Sequence, residues 1–184
     1  FRPRIRESDE LGVLFLLDWS ESVPGDTKRA AWDYVKKASE KLDPKKDRAG
    51  VVLFGGDASV EVSPANIVKL DPAPASVVQT KLTDIAAALR LALAAFPEGV
   101  QKRIVLVSDG NENKGSALDE AENARVNGAR IDCLPLQVAL TKEVWFDGLL
   151  VPHEVTKGES FEVKLVVNAL KAGDATLRVF QNGA

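Results

Sequence analysis

The feature that most constrains the fold of this chain is an apolar run over residues 11–17 that stops abruptly at Asp18. The run is much shorter than the roughly 20 residues that a membrane-spanning helix requires. A short, uninterrupted apolar run is typical of a β-strand that is buried on both faces, as in a parallel sheet. The sequence therefore predicts a sheet protein with this strand near the centre of the sheet.

Segments with helical and strand-like periodicity alternate after this first strand. The residues Gly55-Gly56-Asp57 predict a tight turn between two antiparallel strands, and the Pro-rich residues 64–74 predict a loop. The alternation predicts an α/β fold with a Rossmann-like, doubly wound, mostly parallel sheet that helices cover on both faces. Helices are predicted over 27–42, 84–96 and 116–127, and further strands over 49–54, 58–62, 104–107 and 131–136.

The hydrophobic pattern of the sequence changes after residue 143. Residues 144–151, 160–169 and 175–180 alternate apolar and polar side chains, which predicts part of an antiparallel β-sandwich. We therefore expect an N-terminal flank over 1–10, an α/β domain over 11–140 and a truncated, immunoglobulin-like β-sandwich segment over 141–184. Because Asn182-Gly183 is a strong hairpin signal with no returning strand, and the sequence has no Met, we expect it to be a piece of a longer chain.

Composition and charge exclude some classes of function. A net charge of −3 with no basic face argues against nucleic-acid binding. The single Cys133 lies in an apolar run, so we expect it to be buried, and it has no partner for a disulfide within the chain. The single His153 has no Cys or carboxylate cluster beside it, which favours a structural or surface role.

Oxygen-bearing side chains follow the predicted strands at three separate places. After the first strand, extended backbone would point Asp18, Ser20 and Ser22 to the same side. Thr83 precedes the second helix, and Asp109 follows the strand over 104–107. Because ligands of open α/β sheets bind beyond the carboxyl ends of the strands, we expect these residues to converge. Such an all-oxygen set suits a hard cation such as Mg²⁺.

Each of these signals also has a simpler structural interpretation. Ser20 and Ser22 could be loop hydroxyls, Thr83 could cap the second helix, and the Asp109-Gly110 pair could be an ordinary turn. For the neighbouring Glu112 and Asn113, a solvated turn is favoured over a place in the crevice. The metal-site hypothesis depends on all three segments occurring together at the right ends of the right elements.

The motif set, in this order over residues 10–138, resembles the von Willebrand factor A-type domain with its metal-ion-dependent adhesion site. The resemblance implies that Ser20, Ser22 and Thr83 bind Mg²⁺ (or Mn²⁺ or Ca²⁺), Thr83 directly or through water. It implies that Asp18 and Asp109 act through bound water molecules. It also implies a protein-binding module, not an enzyme, whose partner offers an Asp or Glu carboxylate to the cation.

Two departures from the family pattern narrow what can be carried over. The segment Lys81-Leu82-Thr83-Asp84 lacks the small glycines often seen before this Thr, and a final strand and C-terminal helix are not evident. The whole chain looks like large bacterial envelope proteins that combine membrane helices, such a domain, a β-sandwich and a glutamine-amidotransferase-like domain. That resemblance implies a membrane-anchored parent protein in the cell envelope, with the extracytoplasmic side favoured.

Two other functions remain open from the sequence. A Mg²⁺-dependent phosphatase of the haloacid-dehalogenase kind also places Asp after its first strand. That chemistry needs a second Asp two residues later as a general acid, and this chain has Ser20 there. The other alternative is a structural scaffold with a vestigial metal site.

Overall fold

The computed structural model describes residues 10–67, 69–137, 144–152, 154–156, 158–169, 172–174, 176–178 and 180. The chain divides into two compact units, Phe1–Val138 and Ala139–Ala184. The flank before Glu10, the predicted domain boundary at 140–141, His153 and the hairpin signal at 182–183 lie outside the described residues.

The first unit contains strands and helices in alternation. In chain order its elements are β1 (Leu11–Asp18), α1 (Gly25–Ser39), β2 (Arg48–Phe54), β3 (Ala58–Ala65), α2 (Ile85–Ala95), β4 (Gln101–Ser108), α3 (Ala117–Val126) and β5 (Ala129–Pro135). The strands form one sheet of five in the order β3-β2-β1-β4-β5.

Strand β1 lies at the centre of this sheet and is parallel to both of its neighbours, β2 and β4. Strand β5 is parallel to β4, whereas β3 runs antiparallel to β2 with Phe54 opposite Ala58. This arrangement confirms the predicted doubly wound, mostly parallel α/β fold and the predicted hairpin at residues 55–57. It places the carboxyl ends of β1 and β4 side by side at one edge of the sheet.

The apolar run of β1 supplies side chains to two hydrophobic cores, one on each face of the sheet. Leu14 and Leu16 are fully buried in the core with Leu89 of α2. On the opposite face, Phe15 and Leu17 belong to the core that α1 covers. Burial on both faces explains why β1 has no polar residue before Asp18.

The sequence also predicts Asp26 as the cap of the first helix and Tyr34 on its buried face, and these two predictions are wrong, as is the burial of Cys133. Helix α1 begins at Gly25 after Pro24 and has no side-chain cap, because Asp26 lies within its first turn. Its buried face includes Trp32, whose indole N–H donates to Asp71 O (3.0 Å), whereas Tyr34 is 43% exposed. Cys133 is exposed because β5 is an edge strand, where alternate side chains remain open to solvent.

The second unit contains a two-stranded antiparallel sheet of β6 (Val144–Leu150) and β7 (Lys164–Ala169). The strand predicted over 175–180 is not present in its described residues, 176–178 and 180. In the part of the chain that the structure describes, no helix has the length and apolar character needed to cross a membrane.

Glu61 on β3 holds the Pro-rich connection between β3 and α2. Its carboxylate accepts hydrogen bonds from Ala75 N (2.8 Å) and Ser76 N (2.7 Å). Burial opposes ionisation of this carboxyl, but hydrogen bonds from the Ser76 hydroxyl and from these two N–H groups outweigh it and lower its pKa. The connection is therefore fastened by an ionised side chain.

Replacing Glu61 with Gln is expected to lower the free energy of unfolding by about 1 kcal/mol at neutral pH. A carboxylate whose folded-state pKa is lowered stabilises the fold above its unfolded pKa, and that stability is lost as pH falls through the folded pKa. Urea denaturation at pH 7 and again below pH 4 should thus show the difference between the two proteins shrinking in acid. The same difference at both pH values would contradict this role for Glu61.

Candidate functional site

Asp18, the last residue of β1, is 2% exposed and is surrounded by hydrogen-bond donors. Its Oδ1 accepts from Ser20 N (3.0 Å) and Ser20 Oγ (2.6 Å). Its Oδ2 accepts from Ser108 Oγ (2.6 Å) at the end of β4. Both oxygens of this carboxylate are therefore engaged by protein groups, which fixes its orientation.

The hydroxyls of Ser20 and Ser22 lie side by side, with 2.9 Å between their Oγ atoms. The short bond to Asp18 uses the single hydroxyl hydrogen of Ser20. Ser22 is consequently the donor in its contact with Ser20. Each hydroxyl oxygen retains at least one free lone pair, which could bind a cation.

Thr83 is 2% exposed and lies immediately before α2. It does not cap the helix, because Asp84 is the N-cap residue and its side chain accepts from Ala87 N (2.7 Å). The interpretation of Thr83 as the helix cap is therefore wrong. Its hydroxyl makes no hydrogen bond to any residue that the structure describes, and its oxygen is not among the buried, unpartnered side-chain atoms of those residues, so it is open to solvent or a ligand at this edge.

Backbone hydrogen bonds join the three loops that carry these side chains. Glu21 N, in the loop after β1, donates to Thr80 O (2.7 Å), three residues before Thr83. Thr83 O accepts from Asn113 N (3.1 Å) in the loop between β4 and α3. The loops after β1, before α2 and after β4 thus meet at the same edge of the sheet.

Asp109 follows Ser108 directly and is half-buried. Its Oδ1 accepts from Asn111 N (3.0 Å), and Gly110 N donates to Ser108 Oγ (3.0 Å). In the described residues no hydrogen bond joins Asp109 to Asp18. The structure therefore brings Asp18, Ser20 and Ser22 into direct contact, whereas Thr83 and Asp109 reach the same edge through their loops.

Two features of the site were missed in the sequence. Ser108 binds Asp18, and its only local signal is its position before Asp109-Gly110. The solvated turn expected at Glu112 and Asn113 describes only the exposure of Asn113, because the half-buried Glu112 accepts from Ala86 N (3.3 Å) and Ala117 N (2.7 Å). Asn113 is exposed, but its Oδ1 accepts from Thr83 N (2.8 Å).

A lysine lies beside the acidic end of β1. Burial lowers the pKa of the Lys28 ammonium group, while the nearby carboxylates of Asp18 and Glu21 act in the opposite direction. Its Nζ lies 5.8 Å from the centre of the Trp19 ring. The edge of the site thus carries a positive charge close to the Asp18 carboxylate.

The donor chemistry at this edge fits a hard cation. The described residues contain no group of three His, Cys, Asp or Glu side chains that could hold a metal ion. The candidate set depends instead on hydroxyls supported by carboxylates, which are oxygen donors of the kind that Mg²⁺ prefers.

Comparisons with known proteins agree with this architecture. A sequence profile of the von Willebrand factor type A domain matches residues 13–112. A search among proteins with curated descriptions gives no significant match.

Three solved structures show the same fold at identities below a quarter. BatB from Bacteroides thetaiotaomicron is 21% identical with a TM-score of 0.59, over 88% of this chain and 81% of that chain. An aerotolerance-related membrane protein from Bacteroides fragilis is 22% identical with a TM-score of 0.58, over 87% of this chain and 82% of that chain. Proximal thread matrix protein 1 from mussel byssus is 22% identical with a TM-score of 0.54, over 68% of this chain and 35% of that chain. That structure has a zinc-occupied metal-ion-dependent adhesion site.

Proposed function

Because this chain belongs to the von Willebrand factor type A domain family, we propose that it binds a partner protein through a divalent cation at the carboxyl edge of its sheet. The proposed cation is Mg²⁺, with Mn²⁺ or Ca²⁺ as alternatives, and the partner offers an Asp or Glu carboxylate. The proposed metal site consists of Asp18, Ser20, Ser22, Thr83 and Asp109.

The observation that carries this proposal is the Thr83 hydroxyl, which has no hydrogen-bond partner among the described residues and is open to solvent or a ligand. Thr83 is 2% exposed, and Asp84 performs the capping that would otherwise explain a Thr at this place. The Thr83 hydroxyl oxygen is not among the fully buried, unpartnered atoms of the described residues, so water or a ligand can reach it. A cation bound at this edge would supply that partner.

The hydrogen bonds of the Asp18 carboxylate determine how the serine hydroxyls could bind a cation. With both of its oxygens engaged by Ser20 and Ser108, Asp18 is better placed to act through hydroxyls and water than to bind a cation itself. Ser20 directs its hydrogen to Asp18, accepts from Ser22 and keeps one lone pair for a cation. A bound cation held by neutral hydroxyls would keep much of its charge and attract a carboxylate from another protein.

The solved structures support a wider proposal about the parent protein. Two of the similar folds are BatB and an aerotolerance-related membrane protein, both from Bacteroides. We propose that this chain is part of a membrane-anchored protein of a bacterial cell envelope, on the extracytoplasmic side. The proposed parent also contains a β-sandwich, which begins near residue 141 after an α/β domain over 11–140, and a glutamine-amidotransferase-like domain.

Replacing Ser20 and Ser22 together with alanine should weaken cation binding by about 30-fold or more, since two of the proposed oxygen ligands are removed. Calorimetric titration with Mn²⁺ and with Mg²⁺ measures the change. The matched control replaces the Ser39 and Ser63 pair with alanine, because both hydroxyls lie outside the three loops of the site.

Three outcomes would contradict the proposal, and each comes from a different measurement. Equal binding heats in the wild type and the Ser20/Ser22 variant would show that the cation binds elsewhere. A thermal stability that no divalent cation changes would favour the scaffold alternative. Turnover of a simple phosphate ester that disappears on Asp18→Asn would favour the phosphatase. A pulldown from envelope extract with and without chelator then tests the partner.

A further inference from the structure

Asn113 holds both backbone polar groups of Thr83. Thr83 N donates to Asn113 Oδ1 (2.8 Å), and Asn113 N donates to Thr83 O (3.1 Å). Paired bonds of this kind fix a residue in translation and in rotation about its own backbone. The position of the Thr83 hydroxyl is therefore determined from the loop between β4 and α3.

The residue after Asn113 extends this contact to the helix cap. Lys114 N also donates to Thr83 O (3.2 Å), and Lys114 Nζ lies 3.4 Å from Asp84 Oδ2. The same ammonium group donates to Gly56 O (2.6 Å) in the turn after β2. Lys114 thus ties the Thr83-Asp84 pair to two other loops.

Glu112 completes the contact by joining two helix starts. Its carboxylate accepts from Ala86 N in α2 and from Ala117 N in α3. We call residues 112–114 the Thr83 clip. Gly115, next to the clip, has a φ of +86°, and a Cβ there would lie 2.8 Å from Asp84 Oδ1. Only glycine permits this close approach without displacing the cap of α2.

The Thr83 clip belongs to the loop that also carries Asp109. Two residues of the proposed site, from separate parts of the chain, are consequently held relative to each other by Asn113. Without the Asn113 side chain, Thr83 N would lose its acceptor within a buried segment. The segment would then move to regain a partner, and the hydroxyl would move with it.

On the premise of the function proposed above, we propose that Asn113 is a positioning residue for the metal site. Its amide oxygen presets Thr83 for the cation, although Asn113 is not itself a ligand. Preorganised sites bind more tightly because the ligand does not have to order them. Cation affinity should therefore depend on an exposed asparagine that lies outside the set of ligands.

Three variants test whether Asn113 positions Thr83 for the cation or only stabilises the surrounding loop. Asn113→Ala should weaken Mn²⁺ binding by about tenfold, the range typical of residues that orient metal ligands. Asn113→Asp keeps an acceptor oxygen and should restore the affinity to within about threefold of the wild type. Glu112→Gln loosens the helix starts without touching Thr83, so it should lower the melting temperature of the metal-free protein while affinity stays within about threefold.

The added charge of Asn113→Asp needs its own control. Asn111 is exposed in the same loop and uses only its backbone N–H in the described contacts. Asn111→Asp adds the same charge nearby and is expected to leave Mn²⁺ affinity close to that of the wild type. A tenfold gain in this variant would attribute the rescue to charge and would count against the proposal.

The outcomes distinguish this inference from the proposed function. Wild-type Mn²⁺ binding that is lost in the Ser20/Ser22 variant but unchanged in Asn113→Ala would overturn the role of Asn113 alone. Equal losses of affinity in Asn113→Ala and Glu112→Gln would show general loosening of the loop and would also overturn it. Absence of Mn²⁺ binding in the wild type would instead overturn the proposed function.

Discussion

Replacing Asp18 with alanine is expected to lower the free energy of unfolding of the metal-free protein by about 3 kcal/mol and to abolish its stabilisation by Mg²⁺. The carboxylate accepts three hydrogen bonds in a buried position, from Ser20 N, Ser20 Oγ and Ser108 Oγ. Alanine leaves all three donors without an acceptor. A buried donor without a partner typically costs about 1–3 kcal/mol, and the smaller side chain lets water satisfy part of this set.

The Asp18→Asn variant separates the effect of Asp18 on folding stability from its effect on cation binding. Its amide oxygen can still accept from Ser20, and the Ser108 hydroxyl can turn to accept from the new NH₂ group. The metal-free protein should then lose only about 1 kcal/mol. Stabilisation by Mg²⁺ should nevertheless disappear, because the negative charge that orients the hydroxyls and water molecules is gone.

Urea denaturation of each protein, without cation and at saturating Mg²⁺, measures both effects. Asp33→Asn is the matched control, because Asp33 is an exposed carboxylate on α1. It should change neither the stability nor the Mg²⁺ effect. Retention of the full Mg²⁺ effect in Asp18→Asn would show that this carboxylate is not part of a cation site.

The parts of the fold that local patterns determine could be predicted. The apolar run of β1 and the Gly55-Gly56-Asp57 turn identify a buried strand and a hairpin from neighbouring residues alone. The exposure of Cys133 could not be predicted in this way, because it depends on β5 being at the edge of the sheet. Strand order is a property of the whole chain, whereas an apolar pattern around Cys133 is the same for an edge and a central strand.

The candidate site likewise has some features that local sequence predicts and others that depend on the whole fold. The contact of Asp18, Ser20 and Ser22 could be predicted, but the extended backbone expected through Ser22 is wrong. Residues 20–23 form a turn in which Val23 N donates to Ser20 O (3.3 Å), and this turn brings the hydroxyls together. The contact between Asp18 and Ser108 depends on the register of β1 against β4, which no local pattern specifies. Thr83 and Asp84 are both good helix caps in sequence, so only the structure shows which of them performs that role.

The second large effect is expected at Gly55, where β2 ends beside the connection to α2. A Cβ on Gly55 would lie 2.1 Å from Gln79 O and 3.1 Å from the carbonyl carbon of Gln79. These are backbone atoms, which cannot move aside as the end of a flexible side chain can. The same stretch is held by hydrogen bonds from Gly56 N to Gln79 O (2.6 Å) and from Asp84 N to Gly55 O (2.7 Å).

Gly55→Ala is therefore expected to destabilise the protein by about 3 kcal/mol and to weaken Mn²⁺ binding, because the segment that carries Thr83 must shift. Gly25→Ala is the matched control, since a Cβ there meets no atom within 4 Å and Gly25 lies at the start of α1. That variant should be neutral or slightly stabilised, as alanine costs less conformational entropy in a helix. Thermal melts and Mn²⁺ titrations of both variants provide the comparison. Equal stabilities would show that the backbone at Gln79 yields freely, and that the position of Thr83 does not depend on this contact.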